Sequence, residues 1–240
     1  SRNFLNQFIF YNSALILKIF PLFSIFIFIE KKKQLLIVLI FSILYLLIIR
    51  EEIALIKTNI IEYALIFAYG ALSISKAIYF YSTKFNFFIN DDNYFIFKNL
   101  ISFVIGLSAI IVITSNINFK DKIIKSISNN EKMFLAGAGI YIGTFITSAN
   151  IDYRLVFLLF TLPIILDYEK QSLKILYMIC LIICFNSLIF EGGDSYSFIY
   201  FIKASIIYLL KFIIFFINCF FFGKILSKFV KININILSKT

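Results

Sequence analysis

Apolar residues in this chain come in long, nearly unbroken runs, without the alternation of a strand or the one-sided stripe of an amphipathic helix. A helix that is apolar all round suits lipid or a fully buried position. Crossing a bilayer takes about 20 mostly apolar residues, within a range of about 17–25. Seven stretches meet or approach that length: 8–29, 35–49, 97–116, 132–147, 153–166, 173–190 and 198–223. The second and fifth are short and need flanking residues to span. An eighth run, 59–81, contains Glu62, Gly70 and Lys76. The pattern predicts an all-α fold, a polytopic transmembrane helix bundle of about seven crossings in one domain over 1–240. One outer interfacial or re-entrant helix at 59–81 completes it.

Composition agrees. Of 240 residues, 61% are hydrophobic and the mean hydropathy is +0.95, against about 45–50% apolar in a soluble domain. A soluble protein of this size has too much surface to hide that share. The chain opens on Ser1, and the expectation is that it is the C-terminal part of a longer protein.

The formal net charge of +10 would point to nucleic acid in a soluble protein. Here the lysines sit in short loops between apolar runs, as at cytoplasmic helix ends, so no nucleic-acid partner is expected. With 59–81 left outside, seven crossings put Lys31–Lys33, Lys120, Lys122, Lys125, Lys132, Lys170, Lys174, Lys224, Lys228, Lys231 and Lys239 on one side. Arg2, Arg50, Lys57, Lys76, Lys84, Lys98 and Arg154 fall on the other. The first set is almost twice as large, which makes it the cytoplasmic side and places the C-terminus there. Were 59–81 to cross, the clusters at 31–33 and 120–132 would lie on opposite sides. Localisation in the bacterial inner (plasma) membrane is expected.

Chemistry is narrowed by what is missing. The chain has no histidine, which removes imidazole acid–base catalysis and histidine metal sites. Cys180 and Cys184 share a helix face, and Cys219 lies in another apolar run. Without further ligands beside them they read as small buried residues, so no metal or other cofactor is expected.

Eight carboxylates collect on the outer side: Glu51, Glu52, Glu62, Asp91, Asp92, Asp152, Glu191 and Asp194. Asn150-Ile151-Asp152-Tyr153-Arg154 is a tight outer turn opening into a crossing. Asp152 there suits a helix cap as well as a site. The planar guanidinium of Arg154 at the headgroup level suits a lipid phosphate. Glu191-Gly192-Gly193-Asp194 reads more simply as a solvated turn. Lys18 and Lys211 lie deep within apolar runs, where an unpaired charge costs about 2.5–3.5 kcal/mol. Each needs a backbone, anionic or interchain partner, or a snorkelling route to the interface.

The stretch Ala14-Leu15-Ile16-Leu17-Lys18-Ile19-Phe20-Pro21 resembles an A-x-x-x-K-x-x-P element at the end of a membrane helix in polyprenol-phosphate-dependent glycosyltransferases of the C superfamily, those like family 87. Tyr69-Gly70 with Ser73-Ile74-Ser75-Lys76, and Asn150–Leu155 running on to Pro163, resemble the C-terminal half of such proteins. The resemblance implies a membrane enzyme that moves a sugar from a polyprenyl-phosphate donor to an extracytoplasmic acceptor. It further implies that the catalytic carboxylate lies in a first outer loop, before the present chain. On that reading Arg154 and Lys76 bind the donor phosphate, Asp152 orients Arg154 or the acceptor, Tyr153 belongs to the same lipid-phosphate-binding set, and Lys18 supports the site from within the bundle. Two other readings stay open. A polysaccharide polymerase or ligase would carry an arginine-rich outer loop, whereas the long outer segment holds only Arg50. A transporter or flippase would show an internal repeat.

Overall fold

The computed structural model describes residues 8–9, 11, 20–28, 32–48, 50, 68–84, 91–117, 127–147, 150–186 and 198–237. They are almost wholly helical. A 3₁₀ helix, Phe20–Phe28, leads to α1 (Lys32–Ile48). Strand β1 (Ala68–Tyr69) is followed by α2 (Ala71–Lys84), α3 (Asp91–Ser115) and α4 (Asn129–Thr147). Strand β2 (Asn150–Ile151) opens into a second 3₁₀ helix, Asp152–Thr161, continued by α5 (Leu162–Leu166). Helices α6 (Gln171–Phe185) and α7 (Phe198–Leu237) complete the order.

Local chemistry explains several boundaries. Ser128-Asn129-Asn130-Glu131 forms a capping box at the start of α4: the Glu131 backbone N–H donates to Ser128 Oγ at 3.2 Å, and the Ser128 backbone N–H donates to Glu131 Oε2 at 2.8 Å. Two otherwise orphaned donors are thereby satisfied. Pro163 stands in the first turn of α5, where its missing N–H costs nothing. Gly70, at φ 107°, turns the chain from β1 into α2, a backbone region that a side chain would disfavour.

Helix α4 is the centre of the assembly. A Cβ at Gly137 would lie 2.3 Å from the carbonyl oxygen of Phe157 on the second 3₁₀ helix. A Cβ at Gly139 would lie 2.3 Å from the carbonyl oxygen of Phe23 on the first, and one at Gly143 would overlap the Phe23 ring. Positions two apart on an α-helix differ by about 200°, so the two 3₁₀ helices press on nearly opposite faces of α4. Gly139 and Gly143, four apart and so on one face of α4, both admit the first 3₁₀ helix, and Gly137 admits the second. Gly223 on α7 lets the Ile113 carbonyl of α3 approach in the same way. Phe134, Leu135, Ala138, Tyr141 and Phe145 of α4 then bury fully against Phe215, Cys219 and Phe221 of α7 and Leu155 and Leu158 of the second 3₁₀ helix.

Two helical segments, Asn93–Ser115 and Ile202–Lys228, are long and apolar enough to cross a membrane by length and composition. The first keeps much of its apolar surface exposed, with Phe95 68% and Phe103 67% accessible. The remaining expected crossings are shorter or differently built. The stretch 153–166 is mostly 3₁₀ helix, whose rise of about 2.0 Å per residue lets 152–166 extend over about 27 Å.

The stretch 8–29 departs from expectation. The rings of Tyr11 and Phe28 stand 5.6 Å apart, and the Tyr11 hydroxyl lies 3.2 Å from Ser42 Oγ of α1. A straight helix would separate residues 11 and 28 by about 25 Å, so 8–29 is not one straight helix; residues 12–19 lie outside the described part. The run 59–81 is likewise no single straight helix: its described part passes from β1 through the Gly70 bend into α2.

Gly137→Ala and Gly139→Ala should each destabilise the protein by about 1–3 kcal/mol, because a backbone carbonyl must move to admit the methyl group. At Gly106 a Cβ would meet only Ile146 Cγ2 at an ordinary 3.5 Å, so Gly106→Ala should be neutral or stabilising by up to about 1 kcal/mol. Thermal unfolding midpoints in detergent measure the contrast. Equal midpoints for all three variants would contradict the close approach.

Candidate functional site

Strands β1 and β2 pair antiparallel, with Ala68 opposite Ile151 and Tyr69 opposite Asn150. Two segments that the sequence singled out, more than eighty positions apart, thus meet at one end of the bundle. The pairing carries Tyr69-Gly70 against the head of the Asn150–Arg154 turn. Asp152, Tyr153 and Arg154 form the opening of the second 3₁₀ helix; their side chains lie outside the described part, as does all of Lys18.

Lys76 lies on α2, and its Nζ stands 5.5 Å from the ring centroid of Tyr79 and 5.4 Å from that of Tyr94 at the start of α3. Those two rings lie 4.6 Å apart. The lysine expected to bind phosphate is therefore set against two tyrosine rings, an arrangement that holds a cation by ring electrostatics. Ser73 and Ser75, from the same motif, are buried, and Ser75 Oγ donates to the Leu72 carbonyl at 2.9 Å. They serve the helix interior instead of the outer surface.

A second polar feature lies inside the bundle. Lys211 is fully buried, with its Nζ 5.9 Å from the Tyr208 ring centroid. Tyr141 of α4 donates its hydroxyl to the Lys211 backbone carbonyl at 3.1 Å. Two turns further along α7, Asn218 donates through Nδ2 to the Ile214 carbonyl at 2.9 Å and to the Tyr177 hydroxyl at 3.2 Å. Tyr177 and Thr161 hydroxyl oxygens lie 2.8 Å apart, and Thr161 donates to the Leu158 carbonyl at 2.6 Å. Since the Thr161 proton is committed to that carbonyl, Tyr177 donates to Thr161 and accepts from Asn218. The bonds therefore run in one direction, from α7 through α6 to the second 3₁₀ helix. Such a chain fixes three elements in register where unsatisfied polar groups would be costly. The sequence reading missed it; lone Tyr177 and Asn218 inside apolar runs were its only signal.

The opposite end of the bundle is basic. Glu131 of α4 pairs with Lys228 of α7, and Lys224 donates to the Tyr168 hydroxyl at 3.1 Å. These contacts draw together the start of α4, the turn between α5 and α6, and the 224–228 part of α7. Lys132, Lys170, Lys174, Lys224 and Lys228 therefore share one end, in keeping with their assignment to one side. The Ser128-x-x-Glu131 signature was also legible in the sequence, and it too went unread.

No family model, curated protein or solved structure matches the chain.

Burial raises the Glu131 carboxyl, but hydrogen bonds from Lys228 and Ser128 and the charge of Lys228 outweigh it and hold the group below the ordinary carboxylate value. A carboxyl whose folded value is depressed stabilises the fold above its unfolded value, near about pH 4.3, and loses that contribution as pH falls through the folded value. Wild-type protein should therefore melt higher than Glu131→Gln at neutral pH, and acidification below about pH 4.3 should close the gap. A gap unchanged to the acid end of the titration would contradict the pairing.

Proposed function

We propose that this chain is part of an integral membrane protein of the polyprenyl-phosphate glycosyltransferase type, moving a sugar from a lipid-phosphate donor to an acceptor outside the cytoplasm. The observation that carries the reading is the β1–β2 pairing, with Tyr69 opposite Asn150. It joins the two segments whose sequences resemble such enzymes, at the end of the bundle remote from the lysine-rich one. The exposed apolar face of α3 supports membrane integration, since water would penalise it and lipid would not. On this reading the basic end is cytoplasmic, the membrane is the bacterial plasma membrane, and the runs from 35–49 onward supply the passages of the bundle, while 8–29 does not cross as one helix.

The proposed roles follow from side-chain chemistry. Arg154 binds the donor phosphate by its planar fork, Lys76 adds positive charge from α2, Asp152 orients Arg154 or the acceptor, and Tyr153 contributes to the same lipid-phosphate site. Lys18 supports the site from the bundle. A carboxylate outside this chain, or one of the outer acids, takes the acceptor proton as general base.

Arg154 tests the reading most sharply. As a simple interfacial anchor it would be interchangeable with Lys, since both side chains snorkel. As a phosphate clamp it would not, because Lys lacks the bidentate fork. In the full-length protein, Arg154→Lys and Arg154→Ala should each lose at least about tenfold in sugar transfer, equivalent to about 1.4 kcal/mol, at normal expression. Transfer from a radiolabelled polyprenyl-phosphate sugar in isolated membranes is the measurement. Near-normal transfer by Arg154→Lys would remove the clamp.

A further inference from the structure

Lys224 and Lys228 of α7, at the basic end, are held in different ways. The charge of Lys228 is met by the Glu131 carboxylate. Lys224 instead donates to the uncharged hydroxyl of Tyr168 at 3.1 Å, with its Nζ 4.6 Å from that ring's centroid and 4.5 Å from that of Phe220. Two ring faces and a phenol fix the ammonium in place without cancelling its charge. The rotamer freedom that a lysine gives up when it binds an anion is thus already restricted.

Around Lys224 the surface changes character within a turn. Lys170 is exposed and Lys174 half-exposed, on the turn and first helical turn that follow Tyr168. Leu166 is 46% accessible immediately before that turn, and Ile175 and Leu176 are 51% and 44% accessible immediately after Lys174. Lysines therefore border directly on uncovered apolar surface. At this end five lysines, Lys132, Lys170, Lys174, Lys224 and Lys228, stand against Glu131, Asp167 and Glu169, so the balance is positive. A free phosphate or an acidic peptide would use the lysines and make nothing of Leu166, Ile175 and Leu176. A molecule that joins an anionic head to acyl chains uses both.

We infer that this end of the bundle binds an anionic phospholipid, with Lys224 as the fixed cation, Lys170 and Lys174 closing on the headgroup phosphate, and the acyl chains lying along Leu166, Ile175 and Leu176. The inference rests on the membrane reading above. It is independent of any enzymatic activity at the other end.

Full-length protein released from micelles holding equimolar phosphatidylglycerol and phosphatidylcholine, and examined by native mass spectrometry, tests it. Wild type should retain phosphatidylglycerol in preference. A lysine near a bilayer surface contributes attraction that corresponds to about fivefold in affinity. Lys224→Gln should therefore weaken retention of phosphatidylglycerol about fivefold. Lys170→Gln with Lys174→Gln, which leaves the buried contacts intact, should weaken it by more. Retention of the two lipids in equal amount by wild type, or a preference that neither variant lowers, would overturn the proposal. Resistance of the same protein to alkaline carbonate extraction from membranes separates the two readings. Protein that resists extraction yet shows no lipid preference defeats the lipid site alone, whereas protein that is extracted defeats the membrane reading beneath it.

Discussion

The arrangement depends on how closely other backbones can approach α4. A Cβ at Gly137 or Gly139 would lie 2.3 Å from a neighbouring carbonyl oxygen, far inside contact distance, so these positions admit nothing larger than hydrogen. Lipid gives helices little hydrophobic reason to associate, and contact between small residues becomes correspondingly important. The neighbours that exploit the gap are both 3₁₀ helices, which are slimmer than α-helices and rise faster per residue. The same contact that seats the second 3₁₀ helix against Gly137 also fixes where its first residues lie. Those residues include Asp152 and Arg154, directly after β2.

Polar groups then lock what the glycines permit. Within the bundle, Asn218, Tyr177 and Thr161 pass hydrogen bonds in one direction from α7 to the second 3₁₀ helix. At the basic end Glu131 serves twice, capping α4 through Ser128 and holding Lys228 of α7. The two ends therefore differ in kind. One is a strand pair that joins separated segments, and the other is a set of lysines bordered by exposed aliphatic side chains. On the proposed reading each end lies at one membrane face, with sugar transfer proposed for the first and lipid binding for the second.

The helical character and two of the expected long apolar helices, in 97–116 and 198–223, were legible because apolar runs have a length, and length decides what a helix can span. The separation of lysines from the Asn150–Arg154 turn was readable because it is local. What escaped was non-local or conformational. Nothing in the run 8–29 announces that residue 11 lies against residue 28. The close approach of Phe157 to Gly137 joins residues of different segments, which no window of sequence contains. The distribution of lysines kept 59–81 from reading as a crossing, but its two-residue strand is too short for any period-2 signal. Tyr177 and Asn218 looked like isolated polar residues because their partners lie on other helices.

The central claim is that packing on α4 brings residues 68–69 and 150–151 together. Directly opposed residues of an antiparallel pair have Cα atoms about 4.5–5.5 Å apart, within the range of about 4.4–6.8 Å that a disulfide spans. Ala68→Cys combined with Ile151→Cys should therefore form a disulfide under mild oxidation in membranes, seen as loss of thiol labelling and as a linked peptide pair by mass spectrometry. The native cysteines, Cys180, Cys184 and Cys219, are buried, and each single variant serves as control for them. A double variant that stays fully reduced and labelled, under conditions that oxidise an exposed dithiol, would contradict the juxtaposition on which the account rests.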